Sequence, residues 1–379
     1  MFDFETIRII WWGLLIFVIC GFLVTDGFDF GIAMLLPFLG KTDDERRVML
    51  NSIGPTWEGN QVWLVVLGGI ALGAWALVYA VLFSGLYTAM LVLLFGLFLR
   101  PVGFDYRSKL PNPRWRSAWD WALFAGGAVP VVVLSLVAGN LILGLPFQLD
   151  ADLRSTYSGG FIDLFQPFAL LSVVTGVALL CLHGAVFLLW RTEAALAERA
   201  RKVIFWSSLV FSVSFIIAGV WVAIGLDGYH IISGIDTTSI NNPLAKTVEK
   251  ANGLWLDNYS QYPSLCLVPL HAIIGAWSVV WLSAKHYQGL SFLTSSLVVI
   301  CVILTAAGSM FPFLAPSSTF PTSSLTIWDS SASHYALQLL FVATVILMPI
   351  VMAYTTWVYR VLRGKITVAD IKKNNNILY

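Results

Sequence analysis

Apolar positions along this chain come in long unbroken runs rather than in the alternation of strands or the stripes of soluble helices. Nine runs are long enough to cross about 30 Å of hydrocarbon as helices. They fall near residues 9–36, 57–77, 78–99, 119–144, 164–190, 203–225, 263–283, 291–313 and 335–359. The pattern predicts an all-α, polytopic integral membrane protein with nine transmembrane helices in a single domain, 1–379. The second and third runs almost touch, and the break near Trp75–Tyr79 is the least marked of all. The opening "MFDFETIRIIWW" places two acids and one arginine before the first run. It lacks the basic start and small-residue cleavage site of a secretory signal, so the first run is expected to be retained as a span.

Lysine and arginine divide unevenly among the connecting segments. Segments 37–56, 100–118, 191–202, 284–290 and 360–379 hold 18 of the 22, and the alternate set holds only Arg8, Arg154, Lys246 and Lys250. The positive-inside rule then places the N-terminus in the periplasm and the C-terminus in the cytoplasm, as an odd number of spans requires. The longest outer segment is 226–262, which carries "INNP". Residues 311–334 contain no lysine or arginine and are rich in Ser, Thr and Pro, which suits a loop folded over helix ends.

Composition agrees. The chain of 379 residues is 58% hydrophobic and 11% charged, where soluble domains carry about 25% charged residues. The net charge of +1 and the lack of any basic tract give no sign of a nucleic-acid partner, and none is expected. The 16 tryptophans suit rings that anchor many helices at the interfaces. Cys20, Cys181, Cys266 and Cys301 stand singly, with no CxxC, so neither a zinc site nor a thiol pair is indicated.

The candidate chemistry lies in polar residues inside or beside the apolar runs. In "PTWEGNQVW" Glu58 opens the second span, sharing a helix face with Gln61 (i,i+3), as Trp57 does with Gln61 (i,i+4). In "VTDGFDFG" Asp26 and Asp29 close the first span at the same side. Neighbouring antiparallel helices would bring three carboxylates together just inside the cytoplasmic boundary. One reading is a proton-entry path. The other is helix-end polar groups that face water or pair with Arg46 or Arg47. The polar residues that follow Glu58 favour the first for that residue.

Arg100 ends the third run before Pro101, where the helix is expected to stop. It could snorkel, pair with a carboxylate of the cluster, or face an anionic group of a partner. Asp105 and Arg107 read as a local loop pair, and Arg116 with Asp120 (i,i+4) as a structural one. His183 and His271 are the only deep histidines, in different helices and at different depths, while His230, His286 and His334 lie in loops or at span ends. Paired axial ligation of haem would need histidines or methionines at matched depths, so core histidines are expected and no haem held by this chain.

Several stretches resemble subunit II of the cytochrome bd-type quinol oxidases of bacterial respiratory chains. They are "IWWGLL" (10–15), "TDGFDFG" (25–31), "DDERRVMLNSIGPTWEGNQVW" (43–63), "LFLRPVGFDYRSK" (97–109), "MFPFLAPSST" (310–319), "SLTIWDSSAS" (324–333), the "GLDGY" region and the terminal "ILY". The likeness runs from end to end. It implies a bacterial inner-membrane heterodimer with subunit I, which carries two haems b, haem d and the quinol-oxidation loop, with room for small accessory subunits. Quinol and lipid would be further partners, and a quinone bound to this chain is allowed. The complex would reduce oxygen to water with cytoplasmic protons, without pumping, and this chain alone would not be catalytic. The family usually has Asp where this chain has Glu58, and "PTW" replaces a "PHW" of relatives, so any proton role of that histidine is missing. By the same likeness Arg100, Asp29 and Asp120 fall where charge influences haem or quinone. The alternative is a secondary transporter that couples ions through Glu58, Asp26 and Asp29, but no internal repeat supports it.

Overall fold

One helix, begun four residues into the chain, is the axis on which the others pack. α1 (Phe4–Leu39) opens at Asp3, whose carboxylate accepts the Thr6 N–H at 2.8 Å. The computed structural model describes residues 2–238 and 241–373. The terminal "ILY" and Ile240 of "INNP" lie outside the described residues. After Gly40, α2 (Asp43–Ile53) starts with a capping box, in which Thr42 and Glu45 each satisfy the other's backbone, and with three acids in its first turn. Then come α3 (Trp57–Ala74), α4 (Ala76–Gly85), α5 (Tyr87–Tyr106) and α6 (Pro113–Leu143), the last led by Pro113 behind an Asn112 cap. The ribbon β1 (Phe147–Leu149) and β2 (Ser155–Tyr157) precedes α7 (Pro167–Arg191) and α8 (Ala194–Ile224). A second ribbon, β3 (Asp227–Ser233) with β4 (Thr247–Asn252), leads through the short α9 (Asp257–Gln261) to α10 (Leu267–Ala284) and α11 (Gln288–Met310). The third, β5 (Phe313–Ala315) with β6 (Leu325–Thr326), precedes α12 (His334–Val361) and α13 (Val368–Lys373).

Among the described residues eight helices are long and apolar enough to cross a membrane: α1, α5, α6, α7, α8, α10 with its preceding turn, α11 and α12. α3 has 18 residues, but Glu58, Asn60 and Gln61 dilute its first turn. The expected run 78–99 is divided here. Non-helical backbone at Trp75 and Leu86 cuts out α4, and the long helix starts only at Tyr87. At its other end α5 continues through Pro101 to Tyr106 instead of stopping at Arg100. The proline withholds one donor from one carbonyl, a loss that membrane helices tolerate where neighbours pack against them.

Small residues let the axis be approached closely. Gly27 and Gly31 are four apart on α1, facing Leu180 and Gly184 of α7. A Cβ on Gly31 would sit 2.0 Å from the Leu180 carbonyl oxygen, and one on Gly184 would sit 2.7 Å from the Gly31 carbonyl carbon. On another side Gly127 of α6 meets the Phe30 carbonyl oxygen, 2.8 Å from where its own Cβ would be. Apolar burial gains little between helices already in lipid, so backbone-to-backbone packing holds them.

The two ends of the bundle differ. At one end the ribbons lie over the helix ends: Tyr229 and Trp255 donate to the Leu143 and Ile142 carbonyls at 3.2 and 3.0 Å. There Lys246 pairs with Asp329 at 2.8 Å, both side chains buried, and Arg8 donates to Ser331 and to the Thr237 carbonyl. At the other end α2 lies on a charged floor. Asp120 accepts from Arg107 at 2.5 Å and from Arg46 at 2.7 Å, Asp43 binds Arg107 and Arg116, and Glu45 binds Arg199. The expected Arg116–Asp120 and Asp105–Arg107 pairs are thus replaced by longer-range ones, because α2 brings its own acids over α5 and α6.

Candidate functional site

About 15 Å before the end of α1, at 1.5 Å per residue, Asp26 and Asp29 point into the space between α1, α3 and α5. Arg100 reaches across from α5 and binds Asp26 with both terminal nitrogens, at 2.6 and 2.8 Å. Both side chains are fully buried. Arg100 Nη2 also donates to Gln61 Oε1 at 3.2 Å, and the Phe30 ring lies beneath the guanidinium, 4.1 Å from its centroid. Two parallel charge-assisted bonds with an aromatic floor fix arginine in a way that lysine could not copy.

Asp29 has a different environment. Its Oδ2 accepts the Asn60 amide at 2.7 Å, and no donor reaches Oδ1. Asp26 stands three residues earlier on α1, so the two carboxyls are neighbours on one face of that helix and interact electrostatically. Asn60 Oδ1 in turn accepts the Tyr359 hydroxyl of α12 at 2.7 Å. The buried group therefore comprises two carboxyls, one guanidinium and a neutral amide, linked to a phenol.

The remaining candidates fall elsewhere. Glu58 does not join the cluster: it is exposed, at the head of a stripe running through Val62, Val65 and Leu72 on the face of α3 that turns away from Asp29. The helix that brings Asn60 to Asp29 must carry Glu58, two positions earlier, to the opposite side. Trp57 is buried, stacked on Phe104 with ring centroids 5.4 Å apart. Asp120 is the hub of the charged floor, and the cation that meets Asp26 is Arg100, not Arg46, which binds Asp120 and the Gly40 carbonyl. Asn60, one of the polar residues that follow Glu58 in the sequence, joins the site, and Phe30 and Tyr359 complete it without having been singled out. For Tyr359 the only sequence signal is its place in "AYTTWVYR", which reads as an interfacial aromatic belt.

The histidines do not fit an axial pair. His183 uses both ring nitrogens, toward Ser295 Oγ and the Val24 carbonyl, each at 2.9 Å, and stacks against Phe292. His271 lies exposed on α10, its Nδ1 turned to the Leu267 carbonyl of its own helix.

Residues 7–362 match the family described as cytochrome bd terminal oxidase subunit II. The chain belongs to that family. Among relatives, the cytochrome bd-I ubiquinol oxidase subunit 2 of Escherichia coli K12 is 45% identical over 379 residues, covering all of both chains. The cytochrome bd ubiquinol oxidase subunit 2 of Bacillus subtilis is 30% identical over 359 residues, 94% of this chain and 96% of that one. A chain in the structure of bd oxidase from Geobacillus thermodenitrificans superposes with a TM-score of 0.68 over 94% of this chain and 98% of its own. At 17% identity that likeness speaks for the fold alone. The motifs supply the site: "TDGFDFG" carries Asp26, Asp29 and the α7 crossing, "GNQVW" carries Asn60 and Gln61, and "LRPVGFDYR" carries Arg100 and Arg107. Nothing in this family match points to a secondary transporter.

Proposed function

We propose that this chain is the haem-free subunit of a bacterial inner-membrane quinol oxidase, forming a heterodimer with a polytopic subunit I. The haems b and d, which supply the reduction of oxygen to water, and the quinol-oxidation loop belong to that partner. The histidine geometry supports this division, since His183 is fully engaged in the core. The charged end faces the cytoplasm and the ribbon end the periplasm, because the segments at the charged end hold 18 of the 22 lysines and arginines. α3 supplies the ninth crossing. It runs back along α1 from Asn60, beside Asp29, past Trp63, beside Gly21, to Ala74, whose carbonyl accepts from Ala332 next to the Arg8–Ser331 contact.

The observation that carries a proton role is the buried Asp26–Arg100–Asp29 group near the cytoplasmic side. Arg100 compensates Asp26, whereas Asp29 has only an amide. One proton shared between the two facing carboxyls makes the group neutral, and its loss leaves a buried charge without a partner. Glu58 is exposed on the outer face of α3, where the partner subunit completes the wall, and passes protons along that interface. Trp57 and Gln61 hold the entrance in place. The purified two-subunit complex tests this. Glu58→Gln is expected to lower oxygen consumption at least tenfold while the reduced-minus-oxidised haem spectrum stays unchanged; full turnover would remove Glu58 from the path. Purifying this chain without any haem-bearing partner would overturn the assignment as a whole.

A further inference from the structure

The phenol at the end of the Asp29 chain has a chemistry that the proton path by itself does not require. With the shared proton lying between the two carboxyls, Asp29 Oδ2 can only accept, so the Asn60 side chain turns its NH2 to Asp29 and its oxygen to Tyr359. The phenol must then donate. The result is one directed chain, from Tyr359 O–H to Asn60 C=O and from Asn60 N–H to Asp29 Oδ2, with 2.7 Å at each step. Donation into a carboxamide oxygen draws charge away from its nitrogen and strengthens the N–H as a donor. Donors to the ionised form favour that form.

We infer that Tyr359 is a positioning residue that sets how readily the Asp26–Asp29 pair gives up its shared proton, acting through the Asn60 amide. When the proton leaves, Asp29 Oδ1 still has no donor, and Arg100 is committed to Asp26 and Gln61. The polarised amide is then the donor that reaches Asp29. Other charged groups around the pair are accounted for. On α3 Glu58 points away, on α6 Asp120 is held by Arg46 and Arg107, and on α7 Arg191 interacts electrostatically with Tyr359 itself. α7 also offers His183, bound to the Val24 carbonyl. Tyr359 fits this task for a second reason: α12 buries almost nothing else, Leu337 being its one fully covered side chain.

The inference rests on the proton role proposed for Asp26 and Asp29, and its test is separable from that role. The complete two-subunit complex is titrated by infrared difference spectroscopy, following the C=O stretch of a protonated carboxyl, assigned by its loss in Asp29→Asn. In Tyr359→Phe the band is expected to persist to a pH about one unit higher, a tenfold change in proton affinity. Replacing Tyr359 with 3,5-difluorotyrosine keeps the shape and strengthens the donor, so the band should disappear at lower pH than in the parent. If Tyr359→Phe fails to assemble, the fluorinated chain carries the test alone. A band that titrates alike in parent and variants overturns the inference and leaves Tyr359 as an anchor for α12. Full turnover in Asp29→Asn with a shifted band in Tyr359→Phe would instead remove the proton path and keep the inference.

Discussion

Arg100 is a charged residue held with its side chain fully buried. Its guanidinium is matched by Asp26 on one edge, Gln61 on another and the Phe30 face below. Removing either partner of such a pair strands the other in a low-dielectric site, at a cost of about 3–5 kcal/mol. Arg100→Met is therefore expected to lower the thermal midpoint of the purified complex sharply. Arg100→Met combined with Asp26→Leu should recover much of the loss, as a double-mutant cycle by differential scanning fluorimetry would show. Arg100→Lys should behave closer to Arg100→Met than to the parent, because a lysine offers no fork for two parallel bonds. A combined variant no more stable than Arg100→Met alone would mean that the pair contributes more than charge compensation. Asp26 and Arg100 were both conspicuous as charges in apolar runs. Their pairing was one of several open readings, because nothing in the spacing of residues on α1 and α5 fixes which cation meets which acid.

Helices α1 and α7 meet through glycine, and the space there is specific. Gly31→Ala would drive a methyl group into the Leu180 carbonyl, backbone against backbone, with no flexible side chain to yield. It is expected to cost more than the usual ~1–3 kcal/mol of overpacking, read as loss of assembled complex on a native gel. Gly59→Ala, with nothing within 4 Å, should assemble normally; equal yields for the two variants would contradict the crossing described above. The long helices were legible because twenty apolar residues in a row admit few alternatives in lipid. Their breaks were less so. The break at Trp75 falls where the second and third runs meet, but the one at Leu86 lies inside the 78–99 run behind a single glycine, Gly85, which apolar helices also carry in their interiors, and Pro101 fails to end α5 because packing, not local preference, decides there. Glu58 was read onto the same side as Asp29 because both stand near one membrane boundary. Depth was legible; azimuth around α3 was not, and two positions along a helix turned the carboxylate away from the buried site.

At the scale of the whole molecule, two differently built ends hold the bundle. The charged floor draws on acids from α2, and the ribbon end relies on buried bonds between segments distant in sequence. Burial holds the Lys246 ammonium below the ordinary lysine range, with Asp329 opposing that shift. Lys246→Met is accordingly expected to cost about 3–5 kcal/mol by stranding Asp329, measured as earlier proteolysis of the 226–262 excursion. Lys246→Met with Asp329→Leu should restore resistance, and an unaltered digestion rate in the single variant would show that the pair carries no weight there. α12 is attached differently from every other long helix. It is pinned near its start, where Trp11 donates to the Leu337 carbonyl at 3.0 Å, and near its end, where Tyr359 meets Asn60. Both pins reach helices made hundreds of residues earlier. A chain that ends before α12 holds every other long helix and still leaves Asn60 without its phenol. The indole of Trp11 on the first helix and the amide of Asn60 on α3 thus wait for the last long helix to be made before their hydrogen bonds are complete.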